Sequence, residues 1–490
     1  MTHSIPYDAA IKNLFWTNPW LQLPNAFYQR VQPTSLDNPY FIHCNTHTSA
    51  LLGLSVEQLQ NEATLHFFNG QQLPPEVQPT ASVYAGHQFG IFTAQLGDGR
   101  VLSLGEVVGH DNRRYEIQLK GAGLTPYSRT LDGRCPLGSA IREYLGSEAL
   151  AGLRIPTSRA LCLLGSETKV QREYLTTGAL LVRMARSHIR FGHFEYFHHK
   201  GDFDNVKKLT AFVIEQYFPD VLNEPIELQP LRLLEAIVER TACLIADWQS
   251  EGFTHGVINT DNMSVLGDTL DYGPFGFMET YHPEFSANTS DDLGRYQFDQ
   301  QPEIGRWNCL ALAEAISSLL PSRTIPAKLL RLYRQHYHQH YLQRLRLKLG
   351  LSTPHPDDAK LVEALLATLQ QSNIDYTLFF RQLARFVNVQ EKNPVLYGLT
   401  SDPAKLTHWL TLYQDRLSLE TISSQERQKR MNQVNPCYVL RNHLLKQSIT
   451  AAEQGDLTEF YRLLTVLQNP FEDQSGMDFY AQPHTPKFAY

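Results

Sequence analysis

One strongly helical stretch divides this chain into two regions of different pattern. Residues 231–253, LRLLEAIVERTACLIADWQSEGF, place apolar side chains at 231, 234, 237, 238, 244, 245 and 248. That spacing predicts a buried amphipathic helix, closed by Gly252. Before it, from about Phe89, strand patterns dominate. IFTAQLGDGRVLSLGEVV carries two apolar runs joined by Gly97-Asp98-Gly99, a hairpin signal. RRYEIQLK reads as a strand ending at Lys120, GSAIREYLGSEALAGL (138–153) as a helix, and KVQREYL and GALLVRMA as strands around a Thr176-Thr177-Gly178 turn. After it the pattern is helical to about residue 467, starting with RWNCLALAEAISSLL (306–320) and punctuated by Pro326, Pro354 and Pro356.

The segment directly behind the dividing helix is polar: HGVINTDNMSVLGDTLDYG, residues 255–273. A kinase-type catalytic loop sets an Asp two residues after its His start and an Asn five residues beyond that Asp. Counting from His255, Asn262 falls in register, but the base position is Val257, which cannot accept a proton. An acid stands instead at Asp261. Asn262 and Asp271 flank MSVLGDTL, a short hairpin pattern with a Gly-Asp turn that brings its ends together. An Asn and an Asp meeting there supply two hard oxygen ligands, suited to Mg²⁺ on ATP phosphates. Polar hairpin ends that merely cap turns would explain the pair in isolation; its register behind a buried helix favours the metal site. DYGPFGF, from Asp271, is similar to the kinase DFG segment. Strands plus one helix, then helices, with this motif between, is the order of an α+β, two-lobed protein-kinase-like fold. The expected divisions are an N-terminal extension packed on the core (1–80), a sheet lobe (81–178), a helical lobe with the catalytic segment (179–322) and a helical C-terminal extension (323–490).

Lys120 ends an apolar strand, where a phosphate-binding Lys belongs. Its expected carboxylate partner is Glu143 on the following helix, with Glu148 the weaker rival. Gly97, Gly99 and Arg100 in LGDGR offer backbone N–H groups and a guanidinium to phosphates, although a plain turn would look the same. Asp132-Gly133 is a generic turn signal. Arg183, Arg186 and Arg190 lie close in sequence, a pattern of anion binding or of solvated charges with buried stems. The His-rich stretches FGHFEYFHHKG and HYHQHY lack metal-ligand spacing.

Seven ordered stretches then resemble one family, the selenoprotein O (YdiU-type) protein adenylyltransferases with a pseudokinase fold: YAGHQFG (84–90), LGDGR (96–100), QLKGAGLTPYSR (118–129), DGR with AIREYL (132–145), HGVINTDNMSV (255–265), DYGPFGF (271–277) and NPCYVLRNHL (435–444). The resemblance implies an ATP flipped relative to kinases, so that AMP passes to Ser, Thr or Tyr hydroxyls of proteins and pyrophosphate leaves. It implies Asp261 as proton acceptor and Asn262 with Asp271 as ligands of Mg²⁺ or Mn²⁺. Gly97, Gly99, Arg100, Lys120, Asp132, Gly133, Arg183, Arg190 and Asp271 match nucleotide-contacting positions, and Glu143 matches the helical partner of Lys120. Two features depart from the family pattern. No Cys follows Cys437, where family members often have a Cys- or selenocysteine-containing tail, and Ala287 stands in EFSANTSDD where many bacterial relatives carry a Cys. A regulatory disulfide between tail and activation segment is therefore not expected.

The formal net charge of −7 gives no support to nucleic-acid binding. The six Cys form no CxxC pair, as expected for reduced thiols in a cytoplasmic protein. The first residues, MTHSIPYDAAIKNLFW, do not have the pattern of a signal peptide. No apolar run reaches membrane-spanning length, and a monomer is expected. A kinase with a relocated base and a non-catalytic nucleotide-binding scaffold remain the alternative readings. Lys120, Glu143, Asn262 and Asp271 together argue against the scaffold.

Overall fold

The alternating runs between residues 101 and 185 form the centre of a nine-stranded antiparallel sheet. The computed structural model describes residues 10–12, 14–321 and 325–484. The expectations for residues 1–9 and for the final residues from 485, and the division expected at 322/323, lie outside them. The main path of the sheet runs Tyr28–Arg30, Thr80–Ser82, Val101–Val108, Arg114–Lys120, Leu175–Ala185, Arg159–Gln171 and Tyr40–Cys44. Both ends of this path therefore come from the first eighty residues. With the helices that follow, the architecture is mixed α+β.

Side chains alternate across a strand, and here the alternation separates two chemistries. Leu102, Leu104, Ile117, Leu119, Leu180 and Val182 face one way, into a core shared with Leu59, Phe67 and Phe68. Glu116, Gln118, Lys120 and Arg183 face the other way and are hydrogen-bonded to one another or to the elements beyond. The helix Leu137–Gly152 lies on this second side, with Leu137, Ile141, Tyr144 and Leu145 in a larger core that extends into the helix Gln229–Ser250. Leu444, Leu445, Phe460, Leu463 and Leu467, from two C-terminal helices, join the same core, and Tyr461 Oη donates to the Ile42 carbonyl at 2.6 Å. A third core, with Phe379, Phe380, Trp409 and Tyr413, holds other C-terminal helices together.

The dividing helix ends as its sequence predicts, with Gly252 at a φ of +68° directly beyond the cap. Two turns differ from expectation. Gly97-Asp98-Gly99 does not join two strands of a hairpin: Ile91–Thr93 pairs with Gly86–Gln88, and Val101–Val108 pairs with Arg114–Lys120. Thr176-Thr177-Gly178 lies inside the strand Leu175–Ala185, and the chain reverses one step earlier, at residues 172–174. Among the described residues, no helix is long and apolar enough to cross a membrane.

Candidate active site

Four elements converge on Asp271. The Lys120 strand brings its terminal Nζ to Asp271 Oδ1 at 3.0 Å and to Glu143 Oε2 on the neighbouring helix. The Arg183 strand brings Nη1 to the same Asp271 Oδ1 at 2.7 Å and to Glu143 Oε1 at 2.8 Å. Just past that strand, Arg190 Nη1 donates to Asp271 Oδ2 and, at 2.8 Å, to the Asp261 carbonyl. Lys120, Glu143, Arg183 and Arg190 are buried, while the Asp271 side chain keeps 22% exposure, so the cluster opens on its side. Burial pushes the Asp271 carboxyl up, but Arg190, Lys120 and Arg183 outweigh it and hold the group well below the usual carboxylate range. Three cations meet two carboxylates here. The buried carboxyls of Asp98 and Asp261 also act on Arg190 from nearby.

Asp261 sits on the single turn Thr260–Asn262. Its Oδ1 is buried without a hydrogen-bond partner, and burial raises its carboxyl to about 6 against the pull of Arg190. The Gly86–Thr93 hairpin presses onto it. His87 N donates to Thr260 Oγ1 at 2.7 Å, Phe89 N to Tyr296 Oη at 2.8 Å, and Gln88 Nε2 stands 3.5 Å from Asp261 Oδ2. Thr260 in turn donates to Glu195, whose other oxygen is 2.6 Å from His87 Nδ1. A Cβ on Gly86 would lie 2.5 Å from Asp261 Oδ1, so only glycine admits the carboxylate here.

Asn262 Nδ2 donates to the Val257 carbonyl at 2.9 Å, leaving Oδ1 without a protein donor among the described residues. Val257 thus serves the site through its backbone. The bridge between Met263 and Thr269 closes the expected hairpin. Asp271, with about four acceptor positions, has three cationic donors. One amide oxygen and one remaining carboxylate position suit a hard cation that takes few protein ligands and fills its shell with phosphate and water oxygens. Among the described residues, no group of three or more His, Cys, Asp or Glu side chains could hold a metal by itself.

The other expected residues lie around this centre. Val101 pairs across from Lys120, which puts Arg100 at the same end of the sheet, half-buried and with no ion pair among the described residues. Gly97 and Gly99 admit the 125–128 loop: a Cβ at either would come within 3 Å of Tyr127. Asp132 is on the rim, held by Arg172 at 2.7 and 2.9 Å, with Gly133 beside it packed on Gly123. Arg186, unlike Arg183 and Arg190, is exposed. Glu148 pairs with Arg159 at 2.8 Å, so Glu143 is the carboxylate that meets Lys120. Sequence reasoning assigned no role to Gly86, His87, Gln88, Glu195 or Tyr84, whose ring lies 5.1 Å from the Arg190 guanidinium. For Tyr84, Gly86, His87 and Gln88 the signal was present in YAGHQFG, where small and polar residues stand between two aromatics, while nothing local marks Glu195.

Three buried cations gathered beside a carboxyl oxygen without a partner could accommodate phosphate groups, and related proteins are named for nucleotidyl transfer. The chain is 44% identical over 475 residues, 96% of each chain, to a Pseudomonas fluorescens protein named Protein nucleotidyltransferase YdiU. Proteins of the same name match from Herminiimonas arsenicoxydans (44% over 486 residues, 98% of this chain and 97% of the other) and Vibrio cholerae (45% over 467 residues, 94% of each). This is an enzyme of the nucleotidyltransferase class. The family model described as Protein adenylyltransferase SelO matches residues 10–468, and the chain belongs to that family.

Proposed function

We propose that this enzyme transfers AMP from ATP to Ser, Thr or Tyr hydroxyls of proteins and releases pyrophosphate, on a two-lobed protein-kinase-like fold. The sheet with the Glu143 helix would be one lobe, and the helices around residues 255–273 the other. The observation that carries the reading is Arg190, whose Nη1 touches both the Asp261 carbonyl and the Asp271 carboxylate. One guanidinium thereby ties the backbone of Asp261, whose Oδ1 has no partner, to the cationic cluster.

In this mechanism Asp261 takes the proton from the acceptor hydroxyl as its oxygen bonds to the α-phosphorus. The bond from that phosphorus to the bridging oxygen breaks, and pyrophosphate carries away the electron pair. Lys120, Arg183 and Arg190 offset the charge on the phosphates, and Arg100 with the 97–99 backbone and Asp132-Gly133 supports the nucleotide from the rim. Glu143 holds Lys120 and Arg183 in place. Mg²⁺ or Mn²⁺ held by Asn262 and Asp271 would neutralise and orient the phosphates. Val257 offers no proton acceptor, which favours this reading over a kinase base at that position.

Asp261→Asn keeps the shape and loses the acceptor. Transfer of AMP, followed by mass spectrometry of the protein product, should fall on the order of 100-fold or more, with ATP affinity nearly unchanged. Wild-type transfer rates in that variant would remove Asp261 from the mechanism.

A further inference from the structure

Behind the ion cluster the sheet carries a second row of polar groups. Glu116, Gln118 and Lys120 alternate onto one face of their strand. Lys120 reaches the cluster, while Glu116 and Gln118 line a small cavity of about 20 Å³ together with Ser103, Glu106, His188 and Tyr217. Gln118 Oε1 accepts from Arg183 Nε at 3.1 Å and from Nη2 at 2.9 Å. Its amide cannot turn over, because Nε2 donates to Glu116 Oε1 at 3.0 Å. Glu116 is held in its turn: Oε2 accepts from the His188 backbone N and faces His188 Nδ1, both at 2.9 Å. Gln118 is 3% exposed and Arg183 1%. Without Gln118 two guanidinium donors in the interior would lose their protein acceptor.

We infer that Gln118 is a positioning residue of the nucleotide site: its carbonyl fixes the guanidinium plane of Arg183, so that Nη1 stays on Glu143 and Asp271 and the positive charge is held in the cluster that takes the phosphates of bound ATP. Glu116 and His188 keep the amide in the required orientation. This rests on the proposed role of Arg183 in holding ATP. A guanidinium held along its Nε–Nη2 edge has its Nη1 fixed in place, and Nη1 makes the contacts to Glu143 and Asp271. Arg183 therefore approaches a ligand already oriented.

The test measures ATP affinity of the full chain by titration calorimetry with Mg²⁺, beside thermal unfolding. Gln118→Met keeps the volume and removes the acceptor. ATP binding should weaken roughly tenfold or more, the usual scale for a lost hydrogen bond to a charged group. In an Arg183→Lys background, where Nε and Nη2 are gone, Gln118→Met should add less than about twofold, because Gln118 acts only through that guanidinium. Affinity within twofold of wild type in folded Gln118→Met, or effects that multiply in the double variant, would overturn the inference. If Gln118→Met does not fold, Gln118→Asn decides. Its shorter amide cannot span both donors, so weakened ATP binding supports the inference and wild-type affinity overturns it. Binding is read without group transfer. A failed transfer assay with this pattern intact would fault the proposed reaction and leave the role of Gln118 standing.

Discussion

Gly86→Ala tests how closely Asp261 must be held. The backbone of Gly86 suits any residue, since its φ lies outside the left-handed region, so the effect of a methyl group here is steric. That Cβ would lie 2.5 Å from Asp261 Oδ1, 2.8 Å from its Cβ and 3.0 Å from its Cγ. Carbon contacts relax near 3.5–4.0 Å, so one partner must retreat by about 1 Å. The hairpin is pinned by Ala85 N to the Gly192 carbonyl at 2.9 Å, by His87 N to Thr260 and by Phe89 N to Tyr296. The backbone of Asp261 is pinned by Arg190 at 2.8 Å. Rotation of the Asp261 side chain can move Oδ1 and Cγ away, while the contact with Asp261 Cβ is cleared only by a shift of one of the two pinned backbones. A displacement of this size costs about 100-fold in rate, and overpacking costs roughly 1–3 kcal/mol of stability. Steady-state kinetics should show kcat reduced about 100-fold with ATP affinity kept, and no further loss when Asp261→Asn is added. A folded Gly86→Ala enzyme with kcat within about threefold of wild type would refute either the role of Asp261 or the rigidity of the hairpin.

Asp271→Ala leaves Lys120, Arg183 and Arg190 without their shared counter-ion and removes a proposed metal position; transfer should drop at least ~100-fold, and the Mg²⁺ dependence of ATP binding, read by calorimetry, should disappear. Glu106→Gln should change the pH profile of stability. Burial and the facing Glu116 raise the Glu106 carboxyl to about 7, so its folded-state value lies above that of the unfolded chain. Its contribution is present at low pH and is lost as pH rises from the ordinary carboxylate value through about 7. Urea midpoints should therefore favour the variant over wild type more at pH ~8 than at pH ~5, and an equal difference at both would contradict the assignment.

The parts of the site that follow from local pattern were legible in the sequence. Lys120 ends a strand whose alternation is plain, Glu143 rides a helix with clear spacing, and Asn262 and Asp271 flank a hairpin with its own turn residues. The parts created by distant pairing were not. Gly97-Asp98-Gly99 has local turn chemistry, but its partners are Ser82 and Tyr84, which bind Asp98 N and Leu96 N at 2.9 and 2.8 Å. The edge strands Tyr28–Arg30 and Tyr40–Cys44 are too short for periodicity to register. Residues 172–174 turn the chain without Gly, Pro or Asn, while the Thr-Thr-Gly beside them continues the strand because its neighbours across the sheet demand it. Gln118 looked like an ordinary strand residue, and only the position of Arg183 on the adjacent strand shows what its amide does.

The reaction itself is tested most directly by two parallel incubations of the enzyme with divalent metal and an acceptor protein, one with ATP labelled at the α-phosphate and one with ATP labelled at the γ-phosphate. Transfer of AMP predicts stable label on protein from the α-labelled ATP and none from the γ-labelled ATP. Stable γ-label on protein, with no AMP adduct by mass spectrometry, would contradict it and make the enzyme a kinase.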